Sequence, residues 1–232
     1  MKKLLILLIG LVVMANFGEI KAQPLLDPSD PAKFVTFSAR LGFNTSNRTF
    51  PSGHYNLWNK DSWGTGINVG GMANLNFKEY LTVQPGIFLE SRSGDYAYLT
   101  EYLDFFEAGD NYYEMGHLSS FCVTVPVMGV FKLNIAEKIK CTAELGPYFQ
   151  FIVSEKGQNN VTVLYRLPSS TGYSQYKAQQ RKYDIGVKMG GGLLFYDHYY
   201  IGVHYLAGAC NAWTLPSGGK NKSWMFTIGY EI

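Results

Sequence analysis

The segment Phe34 to Asn44, FVTFSARLGFN, alternates without a break. Val35, Phe37, Ala39, Leu41 and Phe43 share one parity, and Thr36, Ser38, Arg40, Gly42 and Asn44 share the other. A strand sends successive side chains to opposite sides, so this segment has one apolar and one polar face. The same alternation recurs at 66–77, 81–92, 121–133, 139–151, 183–195, 199–209 and 223–232, which predicts eight strands. Strands of this length suit a tilted bilayer crossing, which needs about 9–11 residues.

The start of the chain reads as an export signal. Lys2 and Lys3 precede an apolar run from Leu4 to Met14, and Ala22-Gln23 offers a cleavage site. The run has about 11 residues where a spanning helix needs about 20. Cleavage would remove Lys2, Lys3, Lys21 and Glu19 from 20 basic and 18 acidic residues, leaving 17 of each. A neutral chain argues against a nucleic-acid partner. The expected organisation is a signal peptide at 1–22, a periplasmic segment at 23–33 and one barrel domain at 34–232. Cys122, Cys141 and Cys210 are odd in number and lack metal-ligand spacing, so no metal is expected.

Connections alternate in length. Those after Phe77, Leu133 and Phe195 are tight, and those after Asn44, Arg92, Phe151 and Ala209 are long. Short turns at one rim and long loops at the other are the pattern of outer-membrane barrels. Pairing Leu133 with Ile139, and Phe195 with Tyr199, keeps like faces together. A two-residue Lys78-Glu79 turn would not, which predicts a longer turn or a bulge there. Pro85, Pro126 and Pro147 each remove a ladder donor, and bulges or local irregularity are expected there.

A soluble barrel would turn the apolar face inward around a ligand, and a membrane barrel turns it outward. The polar face carries Arg40, Glu90, Lys132, Lys140, Glu144, Asp184, Lys188, His204 and Glu231, with Arg92 and many glycines among them. Glycines leave room for long charged side chains in a narrow lumen, so this face is read as the interior. The fold expected is therefore an all-β, eight-stranded antiparallel up-and-down transmembrane β-barrel. It has short periplasmic turns and long extracellular loops. Eight strands leave an interior that side chains fill. Aromatics near the strand ends, Tyr199 and Tyr200 included, are read as interfacial girdles.

The stretches VTVPVMGVFKLN (Val123 to Asn134), ELGPYFQFIV (Glu144 to Val153), YDIGVKMGGGLLF (Tyr183 to Phe195) and FTIGYEI (Phe226 to Ile232) resemble the PorT-like outer-membrane barrel family common in Bacteroidetes. The resemblance implies location in the outer membrane of a Gram-negative bacterium. The family's namesake is linked to type IX secretion. Such barrels end more often in an aromatic residue than in one like Ile232.

Some small outer-membrane barrels modify lipid A with His, Ser and an acid. His204 is the one inward histidine, placed opposite Gly190, and no inward serine falls beside it. His54 and His117 fall in or near the outer loops, beside Ser52 and Ser119. The bland reading of the inward charges is an ion-paired network, with Lys132 and Lys140 facing each other and sharing a carboxylate. Asp95, Glu101, Asp104, Glu107, Asp110 and Glu114 make the second long loop acidic. Lys156, Arg166, Lys177, Arg181 and Lys182 make the third basic. Leu99, Tyr102, Leu103 and Phe106 have helical spacing, which predicts a short helix over the mouth. The expected function is a non-enzymatic structural or interaction role in secretion or envelope assembly. The expected partners are outer-membrane lipid and envelope or secretion proteins, with no cofactor. A lipid A-modifying enzyme and a small-solute channel are the alternatives.

Overall fold

The computed structural model describes residues 24–49, 63–101, 112–157, 160–166, 173–179, 181–212 and 219–232. The expected export signal and His54 lie outside them. Eight strands close one antiparallel barrel: β1 (Val35–Thr49), β2 (Gly64–Lys78), β3 (Leu81–Glu101), β4 (Tyr112–Ala136), β5 (Ile139–Gly157), β8 (Tyr183–Phe195), β9 (Tyr199–Asn211) and β10 (Lys220–Glu231). Strands β6 (Asn160–Arg166) and β7 (Tyr173–Gln179) form a separate hairpin between β5 and β8. Each barrel strand pairs with its neighbour along the chain, and β10 returns to β1.

Parity decides orientation. Phe37, Leu41, Ile67, Leu145, Ile201 and Ile228 are exposed on the outer wall, while Arg40, Glu90, Glu144, Asp184, Lys188 and His204 are buried in the lumen. A continuous apolar outer band of this size is incompatible with water and matches hydrocarbon. The soluble-barrel arrangement is thereby excluded. The lumen is filled by side chains. Met72, Phe88, Met128 and Val130 form one apolar cluster, and Tyr148, Leu206 and Met225 form another.

The short rim is built from three tight turns. The predicted irregularity near Lys78 is a bulge, with Asn76 paired to Thr82 and Lys78 to Leu81. Phe195 pairs with Tyr199 as expected, across a turn in which Tyr196 and Asp197 are left-handed at φ 54° and 59°. Leu133, however, pairs with Cys141, because a shift between Asn134 and Ala136 adds a residue before the turn. The prolines give local irregularity without a bulge at two of the three positions. Pairing is interrupted beside Pro85 and Pro126 while the register on either side is kept, and the ladder runs unbroken through Pro147. Each proline forfeits a single donor, which a ladder held in register by its neighbours tolerates.

Residues before β1 cross the short rim. The carbonyl of Leu25 accepts from the Asn134 amide, that of Ser29 from Glu79, and that of Lys33 from Asn76 Nδ2. Asp30 adds an ion pair to Lys78 at 2.6 Å. Within this strap the Ser29 hydroxyl and amide hold the Asp27 carboxyl below its ordinary pKa.

At the opposite rim the wall is uneven. Strands β3 and β4 run 21 and 25 residues and stay paired out to Glu101 and Tyr112. The nine positions beyond Arg92 add about 30 Å at the usual strand rise. Leu99 lies in this ribbon, paired with Tyr113, and not in the predicted helix; Tyr102, Leu103 and Phe106 lie outside the described residues. His117 also falls within β4 and not in a loop. Strand β6 touches β3, so the hairpin stands beside the ribbon.

Candidate functional site

The chemistry-bearing side chains converge in the lumen because alternate positions of every strand must point there. At mid-height Glu144 is the centre. Its carboxylate accepts from Arg40 Nη1 at 3.0 Å, Arg40 Nη2 at 3.5 Å, Thr142 at 3.2 Å, Tyr200 at 2.6 Å and His204 Nε2 at 2.9 Å. Arg40 also donates to Gln84 Oε1 and lies 3.8 Å from the centre of the Tyr200 ring. Arg40 and Glu144 are 2% and 3% exposed, so each charge depends on the other for compensation.

Toward the long-loop rim, Glu90 accepts from Arg92 Nη2 at 2.9 Å and from Gln150 at 3.2 Å. Asp184 accepts from Tyr148, from Asn221 and from the Cys210 amide. It thereby holds the β9 edge where the β9–β10 register shifts between Lys220 and Lys222. Lys188 places its ammonium 4.7 Å from the centre of the Phe88 ring.

Lys132 and Lys140 occupy the short rim, and they do not face each other. The shift after Asn134 sets Lys132 opposite Thr142 and Lys140 opposite Asn134. Lys140 joins Asp197 at 2.8 Å and Glu79 at 3.2 Å, which ties two turns to β5. Lys132 and Glu231 are 3.8 Å apart. The anticipated shared carboxylate is thus replaced by separate partners.

Tyr200 belongs to the interior and not to the girdle. It is buried between His204 and Arg40, and its parity with Gly202 and His204 was the signal for this placement. Its ring lies over Gly202, where a Cβ would overlap the Tyr200 hydroxyl. Gly202→Val should therefore displace Tyr200 from Glu144 and destabilise the barrel by about 1–3 kcal/mol. Urea unfolding in detergent checks this, and an unchanged midpoint would refute the packing role.

His204 sits opposite Gly190 and Met225, with no serine beside it among the described residues. Its Nδ1 is buried without a hydrogen-bond partner. His204 is held between the Glu144 carboxylate and the Tyr200 phenol. Among the described residues no group of three or more His, Cys, Asp or Glu side chains is placed to hold a metal ion. No disulfide joins Cys122, Cys141 and Cys210.

A family model described as outer membrane protein beta-barrel domain matches residues 21–208. No curated protein matches the chain. Among solved structures it is similar to Ail, the attachment invasion locus protein of Yersinia pestis, in complex with the heparin analogue sucrose octasulfate. Identity is 14%, with 86% of this chain and 100% of that chain covered, at a TM-score of 0.40. Neisserial surface protein A is 9% identical over 86% of this chain and 99% of that one, at a TM-score of 0.41. OprG from Pseudomonas aeruginosa is 10% identical over 90% and 99%, also at 0.41.

Proposed function

The chain belongs to the outer membrane protein beta-barrel domain family and is an outer-membrane protein, and on that premise we propose that it is a non-enzymatic scaffold acting through its extracellular ribbons. The observation that carries this reading is the pairing of a filled lumen with strands that outrun the bilayer. The Glu144 cluster and the two apolar clusters occupy the interior among the described residues, which supports a filled lumen over a conducting path. Strands β3 and β4 continue far past the length a crossing needs, and strand β6 of the hairpin stands against β3. The ribbon carries Asp95, Glu101 and Glu114, and the hairpin carries Arg166 and Lys177. Opposite charges on adjacent ribbons favour a fixed platform, and platforms on rigid barrels are where contacts are made. The PorT-like stretches support a place in secretion or envelope assembly.

Deleting the segments between Arg92 and Phe121 and between Phe151 and Tyr183 tests this. Heat-modifiable gel migration should persist, and envelope proteins that co-purify with the intact barrel should be lost. Partners retained without both segments would overturn the reading. Planar-bilayer recordings of the intact protein should show no conductance steps.

A further inference from the structure

We propose that the cavity at the periplasmic rim, between Lys132 and Glu231, binds a small zwitterion: an α-amino acid unit carrying one ammonium and one carboxylate. The cavity holds about 300 Å³ and is closed on one side by the strap at Pro31 and Ala32. That is the lower end of the range of small-molecule pockets. Leu194 and Asn76, both buried, belong to its lining.

The ion pairs of this cavity, whose lining also includes Lys33 and Glu79, differ in closure. Lys140 with Asp197 and Lys78 with Asp30 are closed at 2.8 and 2.6 Å, ordinary lengths for charge-assisted hydrogen bonds. Lys132 and Glu231 are 10% and 9% exposed, yet stand 3.8 Å apart. That is too far for a direct hydrogen bond. His198 Nδ1 meets the Glu231 backbone carbonyl at 2.8 Å and not its carboxylate. Two largely desolvated charges of opposite sign therefore retain donors and acceptors facing the same space. A simple anion entering there would meet Glu231, and a simple cation would meet Lys132. Only a ligand with both signs satisfies both groups, its carboxylate on the Lys132 ammonium and its ammonium on the Glu231 carboxylate. The rim faces the periplasm, where such units occur free and at peptide ends. The site depends on the membrane placement of the barrel and not on the role of the ribbons.

Titration of the full-length mature protein in detergent micelles, followed by backbone NMR, tests the site. The probes are L-alanine, the dipeptide L-alanyl-L-alanine, and the singly charged N-acetyl-L-alanine and L-alaninamide. Saturable shifts at Thr36, Asn76, Lys132 and Glu231 are expected for the zwitterions, with Kd of about 1 mM or below. Each singly charged probe should bind at least about tenfold more weakly. Saturation by L-alanine alone assigns a free amino acid, and saturation by the dipeptide assigns a peptide end. Lys132→Gln and Glu231→Gln should each weaken zwitterion binding about tenfold. Equal binding of charged and capped probes, or no saturable shift up to about 10 mM, overturns the proposal. The capped probes keep this outcome readable on the unaltered protein if a variant fails to fold.

Discussion

Replacing Glu144 by Ala should destabilise the barrel by about 3–5 kcal/mol, among the largest losses expected of any single lumen substitution. The carboxylate receives Arg40, Thr142, Tyr200 and His204 together. Its removal leaves the Arg40 guanidinium uncompensated in a site where it is 2% exposed. Gln84 and the Tyr200 ring remain in contact with the guanidinium, but neither carries a formal negative charge. The paired replacement Arg40→Met with Glu144→Leu removes both charges and should cost far less than the sum of the single changes. Equilibrium unfolding of the single and double variants in lipid vesicles measures this coupling. A Glu144→Ala variant within about 1 kcal/mol of wild type would show that water replaces the carboxylate without penalty.

The second large effect is on the outer wall. Leu145 is 61% exposed, and its neighbours in sequence, Glu144 and Gly146, lie at mid-lumen on β5. Leu145→Arg places a guanidinium near the bilayer centre and should cost about 2–4 kcal/mol. Ile135, also exposed, lies beside the β4–β5 turn, where the same change should cost about 0–1 kcal/mol. The depth dependence is the informative quantity. Equal, small costs at both positions would mean that Leu145 meets water, contrary to the outward-facing apolar band. Folding yield and urea midpoints in vesicles, compared between the two variants, resolve the difference.

Strand number, pairing order and lumen-facing residues were legible because a period of two is a complete rule once one face must meet hydrocarbon. The 183–195 strand was readable to the residue, since lipid, glycines and a tight turn after Phe195 all constrain it. The misplacements share a cause. Lys132 and Lys140 were set opposite each other because the residue that shifts the register at Asn134 and Ala136 leaves no mark on composition. Tyr200 was assigned by its chemistry, as an interfacial aromatic, when its parity with His204 already placed it inside. The β3–β4 ribbon and the β6–β7 hairpin escaped notice because, past the bilayer, both faces of a strand meet water and alternation loses its driving force. There Leu99, read as the start of a helix, continues the strand instead.

Across the β1–β10 seam the hydroxyls of Ser46 and Ser223 lie 3.0 Å apart although 177 positions separate them in the chain. Every other strand pairing in the barrel joins strands consecutive around the wall in chain order, so those pairings can form progressively as the polypeptide is delivered, but the seam cannot. Both of its edges must wait, unpaired, for the last strand, and such edges invite pairing with other chains. Loop closure over that separation makes sealing the slowest step of assembly. Until Phe43 stacks on Phe226 at 4.7 Å, both edges of the open sheet stay available to other chains, and closure removes them.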